Sequence, residues 1–168
     1  MLFHISEEAN ISQFEPRPSE YTIEPVVWAI DGAHLRNYLV PRDCPRVTYY
    51  AGPQTSDTDR ETLLGRGSAV VAIENCWLER LEQSQLYCYS LPEQTFECLD
   101  EGAGYFVSRV AVVPTGVEVI RDAIFELRRR GVELRVLPSL WPLRDAVIVS
   151  SLQFSIIRMR NALPRSAT

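Results

Sequence analysis

Short apolar blocks separated by polar breaks run through the first two thirds of the chain, and most carry a strand signature. "LFHI" reads as a strand that the polar "SEEAN" ends. "EPRPSEYTIEP" reads as extended or looped, because its three prolines fix φ and remove donors. "VVWAI" is a branched and aromatic run bounded by Pro25 and Asp31, and "RVTYYA", "AVVAIE" and "LYCYSL" follow the same pattern. "TFECL" and "YFVSRVAVV" add two strands around the glycine turn "DEGAG". Between them the spacing predicts short helices. Leu35, Tyr38 and Leu39 fall at i, i+3, i+4 behind Asp31 as N-cap. Thr58 and Glu61 match a capping box, opening a helix that "GRG" ends. "NCWLERLEQ" sets Trp77, Leu78 and Leu81 on one face.

From Val117 the period lengthens. Val117, Ile120, Ile124 and Leu127 share a helical face, and Gly131 suits the position after a helix end. "VELRVLP" is a further strand. "SLWPLRDAVIVSSLQFSIIRMRNA" reads as helical, with a break near Pro142. The expectation is an α+β protein of short strands with its helices concentrated toward the C-terminus. It forms one domain over 1–168, a sheet core over 1–115 followed by a helical C-terminal extension over 116–168.

Composition narrows the function classes. A chain of 168 residues carries one ordinary core. No apolar stretch approaches the roughly 20 residues that span a bilayer. No signal peptide is visible, so a cytoplasmic location is expected. A formal net charge of −5 disfavours a nucleic-acid partner. All seventeen basic residues are Arg; that bias runs through the whole chain and marks no site. Cys44, Cys76, Cys88 and Cys98 form no C-x-x-C pair and have no His at ligand spacing, so no metal site is expected. The four read as reduced, mostly buried thiols; Cys44, in "PRDCPR", is the one worth testing, because arginines near a thiol lower its pKa. No Walker loop, G-x-G-x-x-G, H-E-x-x-H or G-x-S-x-G occurs.

"LFHISE", "FEPR", "VWAID", "PRDCPRV", "ELRVLPSLWPL" and "FSIIRMRNA" resemble the motifs of a family of uncharacterised bacterial proteins over nearly the whole chain. The order of "LFHIS", "VWA", Tyr38 and "YCYSLP…F…YFVS" over residues 1–115 is similar to the ADP-ribosyltransferase-like fold. That resemblance implies a split, mostly antiparallel sheet. It also implies an NAD or other nucleotide ligand, with His4 holding the nicotinamide ribose and Tyr38 stacking on the nicotinamide. Ser6 joins these as a ligand-binding candidate. The family's glutamate falls at Tyr105, which supplies no carboxylate. Glu101, four residues earlier, is then the candidate acid beside His4; otherwise another group serves, or no transfer occurs. Lineages that lack the glutamate hold phosphate with arginines, for which Arg17, Arg42 and Arg46 qualify by their bidentate forks. The other reading is a non-catalytic small-molecule-binding or protein-interaction module, with His4 and Tyr38 as core residues. "FSIIRMRNA" stays open between a lid, a homodimer contact and an anion site.

Overall fold

The computed structural model describes residues 1–165. Among the described residues, eleven strands and four α-helices follow in chain order. They are β1 (Leu2–Ser6), β2 (Arg17–Ser19), β3 (Thr22–Ile30), β4 (Arg46–Tyr50), α1 (Asp57–Asp59), β5 (Ala69–Glu74), α2 (Leu78–Gln83), β6 (Leu86–Leu91), β7 (Glu97–Asp100) and β8 (Tyr105–Ser108). Then come β9 (Gly116–Ile120), α3 (Ala123–Arg129), β10 (Val132–Leu137), α4 (Trp141–Ile148) and β11 (Gln153–Ile157). The architecture is α+β. The chain forms two compact units, Met1–Leu39 with Gln85–Arg121, and Val40–Ser84 with the chain from Asp122 onward.

The first unit is a sheet in the order β7-β8-β3-β1-β6-β9, with β2 paired on β3. Every one of these pairings is antiparallel. β1 pairs with β6 along its whole length, Leu2 to Ser6. It meets β3 through Phe3 and Ile30 alone. The sheet therefore parts between β1 and β3. Side chains alternate across the pleat. Leu2, Val27, Ala29, Tyr89 and Leu91 build one core face with Phe14 and Val112. Phe14 and Val112 exchange backbone hydrogen bonds of 2.8 and 2.9 Å, which lays their segments over that face. Tyr89 ties down the "EEANI" loop, donating to the Glu8 carbonyl at 2.8 Å and accepting from Ile11 N at 3.1 Å.

The second unit is a four-stranded sheet, β10-β5-β4-β11. β5 and β10 run parallel, and β4 is antiparallel to both β5 and β11. "AVVAIE" is buried at every position, as an uninterrupted apolar run in a central strand requires. Val47, Tyr49, Val70 and Ala72 pack with Leu64, Leu140, Val147 and Leu152.

The C-terminal third departs from the helical expectation. Residues 117–120 lie in β9, paired with β6, and the helix begins only at Ala123. Asp122 is the cause: its Oδ1 accepts from Phe125 N at 2.8 Å and caps α3 there. Pro142 falls in the first turn of α4, where its missing N–H costs nothing, so it opens a helix rather than breaking one. "QFSII" is strand β11 against β4, where its branched and aromatic side chains suit a pleated surface. Residues 35–38 make one 3₁₀ turn. The helical segment that begins with α1 continues as a π-helical turn over Arg60–Leu64 and ends at Gly65, as "GRG" predicts, but its cap is Ser56, accepting from Asp59 N at 3.1 Å, rather than Thr58. The strand in "YFVSRVAVV" stops at Ser108.

Candidate functional site

In the first unit, His4 stands where β1 and β3 have parted. Its Nδ1 lies 2.9 Å from the Trp28 carbonyl. A carbonyl only accepts, so Nδ1 carries the proton and donates. The imidazole thus adds a side-chain link between β1 and β3 beside their single register pair. Its ring packs on Phe14 with centroids 4.7 Å apart. His4 stands opposite Tyr89 and shares the core face with Leu2. Ser6 turns the chain after β1, its hydroxyl accepting from Glu8 N at 3.0 Å.

Tyr38 and Tyr105 meet on the opposite face. The Tyr38 hydroxyl donates to that of Tyr105 at 3.1 Å. Tyr105 stands edge-on to Trp28 at 5.8 Å, and Trp28 edge-on to Tyr21 at 6.4 Å. The register sets these faces: Phe3 is opposite Ile30, Ile30 opposite Tyr105, and Trp28 opposite Val107. Of the sequence-derived candidates, then, Tyr38 and Tyr105 are brought into contact. His4 approaches the same strand, β3, from its other face. Arg17 is exposed on β2, and Glu101 is exposed in the turn between β7 and β8.

A pair that sequence reasoning passed over lies at the end of β3. Asp31 Oδ1 accepts from His34 N at 2.8 Å, the capping contact its position predicts. The same carboxylate also faces the imidazole, with Oδ1 2.8 Å and Oδ2 3.0 Å from Nδ1. Gly104 makes room for it. Its φ is +69°, and a Cβ there would stand 2.3 Å from His34 Nδ1 and 2.7 Å from Asp31 Oδ2. The only sequence signal was the three-residue spacing in "DGAH".

Arg42 and Arg46 belong to the second unit. Arg46 is 2% exposed, and its guanidinium donates to the carbonyls of Cys44 at 2.9 Å and Arg42 at 3.3 Å. It holds the "PRDCPR" loop in shape. Arg42 is exposed in that loop. Cys44 is fully buried, and burial pushes its thiol up to about 12, against the smaller opposing pull of Arg46. Of the two effects on this thiol, desolvation outweighs the nearby charge, so the flanking arginines do not activate it. Glu74, at the end of β5, is fully buried. It accepts from Leu140 N at 3.3 Å and Leu163 N at 2.9 Å, tying the start of α4 and the C-terminal segment to the sheet. In the "FSIIRMRNA" segment, Asn161 donates to the Asp43 carbonyl at 2.7 Å.

Among the described residues no group of three or more His, Cys, Asp and Glu is placed to hold a metal ion. No described helix is long and apolar enough to cross a membrane. A family model described as a family of unknown function matches residues 3–162. No curated protein and no solved structure matches the chain.

Proposed function

The chain belongs to the family of unknown function DUF6886, and from that premise we propose that its first unit binds a nucleotide or NAD-like ligand where β1 and β3 part. The arrangement would be ADP-ribosyltransferase-like with its acid replaced. One observation carries the reading: His4 sits in the parting with Nδ1 committed to the Trp28 carbonyl. That contact fixes the Nδ1–H tautomer of the neutral ring and orients the imidazole between β1 and β3. Tyr38 and Tyr105 meet on the other face of the sheet, so the reading rests on His4 and not on a stacking tyrosine. With Tyr105 in place of a carboxylate, binding is the proposed activity, and transfer chemistry is not part of it.

Thermal unfolding with NAD, ADP-ribose and a nucleotide panel tests this. A ligand at tenfold its Kd stabilises by about 1.4 kcal/mol, and the Tm rises by about 3–5 °C for a chain of this size. His4→Asn retains a donor for the Trp28 carbonyl and removes the imidazole, so it should fold and lose the shift. A panel that moves nothing at millimolar ligand sinks the proposal. That outcome would favour the interaction-module reading, which Tyr21 and Ile23 support by their exposure of 81% and 106% beside the β2–β3 turn.

A further inference from the structure

We propose that the second unit carries a peptide-binding site that the chain's own segment after β11 occupies, and that the partner it fits is an extended basic peptide. Beyond β11 the chain turns at Arg158, whose φ is +57°, and makes one 3₁₀ turn over Met159–Asn161. Leu163 is then held by its backbone. Its N–H donates to Glu74 Oε2 at 2.9 Å, and its carbonyl accepts from Trp141 Nε1 at 2.7 Å. Both main-chain groups of one residue are thus gripped by side chains from β5 and α4, as a recognition groove grips an extended peptide. Two residues to either side, side chains add selectivity. Asn161 Nδ2 donates to the Asp43 carbonyl at 2.7 Å. The Arg165 guanidinium pairs with Asp145 at 2.9 Å and lies 4.8 Å from the centre of the Trp141 ring.

The two sides of this contact are unequal. Glu74 is fully buried. Its Oε1 takes the Leu140 N–H at 3.3 Å, at the start of α4, and its Oε2 takes that of Leu163. The segment above it is exposed at Arg160, Asn161, Leu163, Pro164 and Arg165, with Leu163 46% exposed. It brings little apolar area to the contact, and polar contacts near water contribute little each. Such a segment opens at low free energy. When it leaves, a buried carboxylate oxygen loses its donor, which is costly. The site therefore closes again on whichever peptide N–H is offered. A grip on the backbone does not read the Leu163 side chain, so another sequence can take its place. What the site does read is a cation two residues further on, through Asp145 and the Trp141 face. Tethering gives the chain's own segment an effective concentration of roughly millimolar, so it excludes weak peptides and yields to tight ones. All of these residues belong to the second unit, and none is a residue of the nucleotide reading.

The experiment uses the full chain and a labelled peptide of residues 160–165 with blocked ends. Asn161→Ala with Arg165→Ala removes two side-chain contacts of the bound segment and leaves Glu74, Asp43, Trp141 and Asp145 in place. Fluorescence anisotropy should show the peptide binding this variant saturably and about tenfold or more tightly than wild type, whose own segment competes. The same peptide N-methylated at the leucine amide cannot donate to Glu74 and should bind neither chain. A variant that is folded by Tm and amide spectrum yet binds no peptide overturns the proposal. So does equal affinity for the two chains, or undiminished binding of the N-methylated peptide. A dimer of the variant in size exclusion, with no affinity for free peptide, would make a second copy the occupant and overturn the partner assigned here. If the variant fails to fold, ¹⁵N-labelled wild type decides. Excess unlabelled peptide should shift the Leu163 amide as it displaces the segment, and a Leu163 amide unmoved at millimolar peptide rules the site out.

Discussion

At Cys44 two effects act on one thiol. Arg46 favours the thiolate, and burial disfavours it by more. With a pKa near 12, the fraction ionised at neutral pH is negligible, and the thiolate is the reacting form. Cys76 and Cys98 are exposed, while Cys88 is buried with Cys44. Ellman's reagent at neutral pH should therefore label two thiols quickly and the other two only on unfolding. Cys76→Ser with Cys98→Ser should remove the fast phase, and a fast phase surviving in that double variant would show that the Cys44 or Cys88 environment is wrongly described. The sequence displayed the arginines around Cys44 but not its depth, because depth depends on which segments fold over the loop. The Asp31–His34 pair was hidden differently: a single carboxylate serves a backbone cap and a ring at once, and only the cap has a familiar local signature.

At the level of elements, a polar lock joins the start of α1 to the turn before β11. Asp59 Oδ2 accepts from Ser151 N at 2.8 Å and from its hydroxyl at 2.5 Å, and Ser56 N donates to the Ser151 hydroxyl at 2.8 Å. The hydrogen bonds from Ser151, and then that from Ser56, hold the Asp59 carboxyl below its ordinary value. A depressed folded pKa means that the lock's contribution is complete above the unfolded pKa, roughly 3.9. It is lost as pH falls through the lower folded value. Asp59→Asn should therefore lower the Tm at neutral pH, with the gap to wild type closing as both are taken below pH about 3.9. A gap independent of pH would assign the effect to packing rather than to ionisation. β11, which this lock helps to place, was the least legible strand. Phe154 and Ile157 sit three apart, so a local pattern favours a helix, while the strand's partner β4 lies far back in the chain. β3, β5 and β6 were legible because each is a continuous or alternating apolar run that declares itself without its partner.

On the scale of the whole molecule, neither compact unit is continuous in sequence. Strands β4 and β5, early in the chain, take as sheet neighbours β11 and β10 from its end. No single cut separates one complete unit from the other. A fragment of residues 1–115, the apparent sheet core by sequence, carries β4 and β5 without those neighbours and β6 without β9. Open strand edges and missing core partners make such a piece aggregation-prone. The fragment should show a non-cooperative thermal transition by circular dichroism and poor amide dispersion, where the full chain unfolds cooperatively. A cooperative melt from the fragment would show that the first sheet is self-sufficient.

The meeting of β1 and β3 at Phe3 and Ile30 alone also sets an order of events during synthesis. β1 is translated before β3, which follows soon after but pairs with it at one residue pair. The strand that holds β1 from end to end, β6, is translated only after β4, β5 and α2 have emerged. Closing that long loop is entropically costly and slow. β1, with His4 in it, waits half-paired until β6 has emerged, so an early strand is among the last to be clasped on both sides.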